Sequence, residues 1–187
     1  MNPVDKAVLE LMQNIHHPIL EELMLIITHA ASYTVLFLII LLLVYLRRKE
    51  LSSNMLIGLL IEGIIIVTLK GITARPRPLI RSLSPNASFP SGHTSRSTYL
   101  AFLFEREWSK KLIWFSLASL VIFSRLYLQV HYFTDIFGGI VVGYFVYWLV
   151  IKYELGLRAY EKASEKIPLI EKLFESEEKE PRDLLSI

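Results

Sequence analysis

Between Leu23 and Leu46 the chain carries no Asp, Glu, Lys or Arg, and it stops at the basic triplet Arg47-Arg48-Lys49. About twenty predominantly apolar residues suffice to cross the hydrocarbon core of a bilayer as a helix. No water reaches that core to satisfy backbone N–H and C=O groups, so a run of this kind is expected to be helical. The pattern recurs. Leu51–Leu69 ends at Lys70, and Leu112–Leu128 and Thr134–Ile151 read as two further spans. Ser91–Trp108 is long enough for another, although its first half is polar. Ahead of these five spans, Val4, Val8, Leu11, Met12 and Ile15 recur at helical spacing. That spacing predicts either an amphipathic helix at the membrane interface or a short extra helix packed into the bundle.

The expected fold is therefore all-α, a polytopic transmembrane bundle of five to six helices. Hydrophobic residues make up 53% of the chain, and the charges cluster between apolar runs instead of mixing with them, which argues against a soluble domain. A net charge of +2 without an interleaved basic and aromatic patch does not suit nucleic acid. The absence of cysteine excludes disulfides, thiolate metal sites and a cysteine nucleophile. Met1–Gln13 does not read as a signal peptide, having one early cation, Lys6, and no small-residue cleavage site. The chain divides into an N-terminal segment (1–19), a transmembrane catalytic domain (20–152) and a charged tail (153–187). Within that tail Glu175–Asp183 is expected to be disordered. Gly71–Pro90 holds prolines at 76, 78, 85 and 90 and is expected to be a loop that no continuous helix crosses.

Five spans place the two ends of the chain on opposite sides. One side receives Arg47-Arg48-Lys49, Arg106–Lys111 and the tail with Lys152 and Arg158; the positive-inside rule makes it cytoplasmic. The other side receives the N-terminus, the Gly71–Pro90 loop and the turn at Tyr132, and the expected setting is the plasma membrane.

Three polar clusters face that second side: Lys70 to Pro78, Pro90-Ser91-Gly92-His93, and Ser124-Arg125 through His131 to Asp135. Their chemistry suits a phosphoryl group. Lys70, Arg77 and Arg125 supply cationic donors for oxygens that carry charge in the transition state. Ser91 is placed as an N-cap, and the free N–H groups of the first turn, with Gly92 for close approach, make an anion site. His131 and Asp135 are four apart and share a helix face, so the carboxylate can hold one ring nitrogen while the other attacks phosphorus. His93 can then protonate the leaving oxygen and later activate water. Arg125 and His131 are about 240° apart on a regular helix, so both reach one phosphate only if the helix breaks near Leu128–Tyr132.

These residues resemble the signature of the type 2 phosphatidic acid phosphatase superfamily. K-x6-RP matches Lys70 and Arg77-Pro78; PSGH matches residues 90–93; SR-x5-H-x3-D matches Ser124-Arg125, His131 and Asp135. The resemblance implies an integral-membrane lipid phosphatase needing neither metal nor cofactor. It implies His131 as nucleophile, Asp135 as its orienting partner and His93 as acid/base. Lys70, Arg77, Ser91, Gly92 and Arg125 would bind phosphate. Such relatives usually have six spans, so here the sixth is either the short N-terminal helix or absent. Arg75 reads equally as an auxiliary contact to a second phosphate and as a solvated loop charge. Arg96 matches an arginine of relatives that hydrolyse isoprenoid diphosphates, against the plain alternative of a salt bridge in the bundle. Glu62, about 12 Å below Lys70 at 1.5 Å per residue, reads as a buried structural partner, and Gly139 with Gly143 as a site of close helix packing.

The expected partners are the bilayer and a lipid substrate, with an isoprenoid diphosphate leading and phosphatidic acid or phosphatidylglycerol phosphate next. Oligomeric state is not set by these features. Soluble vanadate haloperoxidases share the signature, but the spans disfavour them. A non-catalytic module that binds or transports anionic lipids would need the cations but not an oriented nucleophile.

Overall fold

Among the residues that the computed structural model describes, 1–78, 87–167 and 169–170, every regular element is a helix. In chain order these are α1 (Pro3–Asn14), α2 (Pro18–His29), α3 (Tyr33–Tyr45), α4 (Lys49–Thr73), α5 (Gly92–Trp108), α6 (Lys111–Tyr127), α7 (Phe133–Lys152) and α8 (Leu155–Lys166). By length and composition α4 and α7 can each cross a membrane, and α2 with α3 passes the same test as one span bent by 45°. The polarity that weakened the third expected span has a structural reason. α5 lies at the centre, packed on α4, α6 and α7, so Thr94, Ser95, Ser97 and Thr98 are buried against other helices. Apolar side chains such as Ile26, Phe37, Ile64, Leu112 and Phe137 point outward, as they would when the surrounding solvent is lipid.

The span expected over Leu23–Leu46 is built from two helices bent at a break. Ala30 closes α2, and the Ser32 hydroxyl accepts the Val35 N–H to open α3. The Ala31 carbonyl between them accepts Nε–H of Arg96 at 2.9 Å. Hydropathy cannot register this break, because the partner that stabilises the opened backbone lies on another helix.

The glycines of α7 let it approach α5 closely. A Cβ added at Gly143 would come within 2.3 Å of the Ser95 carbonyl oxygen, and one at Gly139 within 2.6 Å of that of Ser91. Leu36, Met55, Leu59, Tyr99, Leu103 and Val146 belong to the main core cluster. α1 is not a detached surface helix: Met12 packs with Met24 and Tyr127, and the Tyr127 hydroxyl accepts the His17 N–H at 2.8 Å. Val4 and Leu11 stay exposed on its outer side.

At the other end of the bundle, Arg48 before α4 pairs with Glu107 at the end of α5. There α8 packs along α4, with Gly156 seated on Asn54. α8 lies inside the segment read as a charged tail, whereas Glu175–Asp183 falls outside the described residues. α4 runs to Thr73, so the loop expected from Gly71 begins at Ala74, which takes a left-handed C-cap conformation.

Candidate active site

One end of the bundle collects the C-termini of α4 and α6 and the N-termini of α5 and α7, and these deliver all three polar clusters to one place. The expected break is present. α6 ends at Tyr127, Gln129 adopts positive φ, and α7 starts at Phe133 with Tyr132 as N-cap. Leu128 N–H and Val130 N–H still bond back to the carbonyls of Ser124 and Arg125. The turn therefore brings His131 round towards Arg125 without leaving its backbone unpaired. Arg77 Nη1 donates to the Val130 carbonyl at 2.9 Å and stands 3.5 Å from His131 Nε2.

His131 and Asp135 are both buried. Nδ1 of His131 lies 3.5 Å from Oδ2 of Asp135, at the outer limit of hydrogen-bonding distance, and has no closer polar partner among the described residues. The same Oδ2 accepts the Tyr132 N–H at 2.9 Å. An ionised carboxylate only accepts, so it favours the tautomer with the proton on Nδ1 and leaves the Nε2 lone pair facing Arg77. Burial pushes the His131 imidazole down to about 4, aided by Arg125 and Arg77 and opposed by Asp135. The neutral ring is thus the resting form at ordinary pH.

On α5, the Ser91 hydroxyl accepts the Thr94 N–H at 3.4 Å, and the Ser91 N–H donates to the Asp135 carbonyl at 3.0 Å. That bond joins the N-termini of α5 and α7. A Cβ at Gly92 would come within 3.2 Å of Arg96 Nη1, so the missing side chain seats a guanidinium. Arg96 Nη2 lies 3.3 Å from His93 Nδ1. Arginine can only donate, so Nδ1 accepts and the resting ring is neutral with its proton on Nε2. His93 is within electrostatic reach of Arg125, Arg96, His131 and Arg77, and Lys70 of Arg77, Asp135 and Arg125. Lys70 Nζ donates to the Ala87 carbonyl, and Arg125 Nη1 to the Thr28 hydroxyl at 2.6 Å.

Two auxiliary arginines are engaged with protein groups. Arg96 is buried, 3.7 Å from the Glu62 carboxylate, bonded to Ala31 and stacked over the Tyr33 ring. The bundle salt bridge is therefore the arrangement found, with Glu62 in the structural place expected of it. Arg75 is not a solvated loop charge. Its Nη1 donates to Asp135 Oδ1 at 2.6 Å and to the Thr134 hydroxyl at 2.7 Å, its Nη2 donates to Asp5 Oδ2 at 2.7 Å, and its guanidinium covers the Tyr132 ring.

Asp5 and Thr134 were not singled out from sequence. Asp5 follows Asn2-Pro3, which signals a helix start, and an acid in a first turn ordinarily faces water. Here it accepts from Thr134 and Arg75 and is covered. Burial alone would raise its carboxyl, but the Thr134 and Arg75 bonds prevail and hold it below its ordinary 3.8. Among the described residues no three His, Asp or Glu side chains gather as metal ligands do; Lys70, Arg77 and Arg125 instead lie within electrostatic reach of one another.

The sequence profile of the PAP2 superfamily matches residues 51–158, which includes all three clusters. The chain belongs to the PAP2 superfamily. It is similar to the phosphatidylglycerophosphatase B of Bacillus subtilis, 29% identical over 178 residues, covering 84% of this chain and 87% of that protein. It is also similar to the lipid A 4'-phosphatase of Porphyromonas gingivalis, 25% identical over 178 residues, covering 83% and 75%. The crystal structure of a transmembrane PAP2-type phosphatidylglycerolphosphate phosphatase from Bacillus subtilis superposes with a TM-score of 0.71 at 28% identity, covering 80% of this chain and 84% of that one. The integral-membrane branch of PAP2 is the one to which these similarities point.

In the substrate-free PAP2 chain, histidine side-chain NMR should show His131 titrating near 4. Arg77→Gln should raise that value, because a neighbouring cation that opposes protonation is gone. A wild-type midpoint at or above the ordinary histidine value would contradict the burial described.

Proposed function

We propose that this PAP2 chain removes phosphate from a lipid, without a metal, through a phosphohistidine formed on His131. The chain is a hydrolase of the membrane lipid-phosphatase kind. The observation that carries the reading is the orientation of His131. Asp135 beside Nδ1 favours a lone pair on Nε2, which stands 3.5 Å from Arg77, one of the cations that would hold a phosphate. In the first step Nε2 of His131 attacks phosphorus and the bond from phosphorus to the lipid oxygen breaks; His93, charged as an imidazolium once the phosphate anion has offset the cations around it, gives that oxygen a proton and becomes neutral. In the second, His93 takes a proton from water, the resulting hydroxide attacks phosphorus, and His131 is released with inorganic phosphate. Asp135 supports the positive charge on His131 between the two steps. Lys70, Arg77 and Arg125, with the N–H groups at the start of α5, would hold the phosphoryl oxygens. A cation-lined pocket supports metal independence, since it repels a divalent ion and neutralises phosphate directly.

A lipid is supported by an apolar cavity of about 290 Å³ between α2, α3, α5 and α6. Ile27, Ala30, Leu100, Phe104 and Leu117 line it beside the α2–α3 break. Ala31 on its wall is the residue that accepts from Arg96. A chain lying there would reach the cations from within the bilayer. The preference for an isoprenoid diphosphate leaned on Arg96. That guanidinium is engaged by Glu62, Ala31 and His93, and the diphosphate reading rests on its likeness to an arginine of such relatives. Phosphate release from polyprenyl diphosphate, phosphatidic acid and phosphatidylglycerol phosphate should be measured in detergent with EDTA. Wild type is expected to turn over at least one of them. His93→Ala should be slower by about 10²–10⁴-fold, the usual worth of a positioned general acid, and His131→Ala should be inactive. Equal rates for wild type and His131→Ala would sink the mechanism, and loss of wild-type activity in EDTA would sink metal independence.

The site is proposed to face the extracytoplasmic side of the plasma membrane, with α8 cytoplasmic. The basic turns at Arg47-Arg48-Lys49 and Lys110-Lys111, at the opposite end from the site, support this. The chain has no cysteine, so Gln13→Cys on the exposed side of α1 gives a single reporter. An impermeant thiol reagent should label it in intact cells; labelling only after lysis would reverse the orientation.

A further inference from the structure

Asp5 lies outside the three clusters, yet it is one of the two carboxylates that share Arg75. Its Oδ1 accepts the Thr134 N–H at 3.0 Å, and its Oδ2 accepts from Arg75 Nη2 at 2.7 Å and from Asn2 Nδ2 at 3.0 Å. The Thr134 hydroxyl accepts from Arg75 Nη1 and turns its single proton to Asp5. Both carboxylate side chains are fully covered, and the guanidinium between them is one-quarter exposed.

We propose that Asp5 is a positioning residue for the reaction, holding one arm of Arg75 so that Asp135 keeps its second oxygen for His131. This rests on the reading of His131 as nucleophile. Its warrant is the geometry of the fork. Arginine and a carboxylate favour a bidentate pair, with two parallel N–H···O bonds. Here Arg75 gives Asp135 only Nη1, on Oδ1, because Nη2 is held by Asp5. Oδ2 is left to the Tyr132 N–H and to His131 Nδ1. Without the charge on Asp5, Nη2 is released next to Asp135. Arg75 then closes on both of its oxygens, and Oδ2 turns from an imidazole already 3.5 Å away. α1 thereby supplies one residue, Asp5, to the positioning of His131.

The test compares wild type, Asp5→Asn, Arg75→Gln, the double variant and Met12→Ala in detergent, using the lipid that wild type hydrolyses best. Asp5→Asn keeps the shape and an acceptor for Thr134 but loses the charge. It should lower kcat by about 10- to 100-fold, the range found when an outer partner that orients a histidine is removed, with KM little changed. The His131 resonance should move to a lower titration midpoint, since Asp135 opposes Arg77 and Arg125 there. Asp5→Asn should change nothing further in an Arg75→Gln background, because its effect runs through that guanidinium. Met12→Ala loosens α1 without touching the carboxylate. It should lower thermal stability while leaving the His131 signal of the folded protein in place. The proposal is overturned if folded Asp5→Asn keeps the wild-type kcat and His131 midpoint, or if Met12→Ala reproduces both changes. Failure of the nucleophile reading shows separately, as full activity in His131→Ala.

Discussion

The Asp135 carboxylate, buried in the first turn of α7, ties the separate parts of this site together. One oxygen faces His131 and takes the Tyr132 N–H; the other takes Arg75. The backbone carbonyl of the same residue holds the N–H of Ser91 at the start of α5. Four points on three separate stretches of chain are thus referred to one residue. A buried carboxylate is costly unless it is paired and hydrogen-bonded. The helix N-terminus and Arg75 meet that cost here, and the same bonds align the histidine.

Around this anion the cations are arranged in two layers. Arg75 and Arg96 are committed to protein partners, Arg75 to the two aspartates and Arg96 to Glu62, Ala31 and His93. Lys70, Arg77 and Arg125 lie within electrostatic reach of one another and repel. The break between α2 and α3 serves both layers, since Thr28 contacts Arg125 and Ala31 contacts Arg96. The apolar cavity runs beside that break, so tail and headgroup would be held by one bend in the chain.

Much of this was legible in the sequence because its signals are local. Apolar run length located α4 and α7, and the fixed spacings located Lys70, Arg77, Ser91, His93, Arg125, His131 and Asp135. The six-residue gap from Arg125 to His131 demanded the interrupted helix that Gln129 provides. What was hidden depended on contacts between distant segments. The α2–α3 break follows from an arginine on α5, and the polar half of α5 from burial among other helices. Asp5 carries no local mark of function, since its partners lie at Arg75 and Thr134. Arg96 makes the bundle salt bridge weighed for it from sequence, with Glu62 as the partner. Its engagement with Glu62 accounts for the residue without a second phosphate.

The central claim is that phosphate passes through His131. It is tested most directly by mixing the protein with lipid labelled in its terminal phosphate and quenching within a single turnover. The account predicts an acid-labile, alkali-stable phosphoryl label on the peptide containing His131, formed and lost at rates compatible with turnover and absent in His131→Ala. Phosphate release at full rate with no labelled peptide, or with the label on another residue, would contradict it.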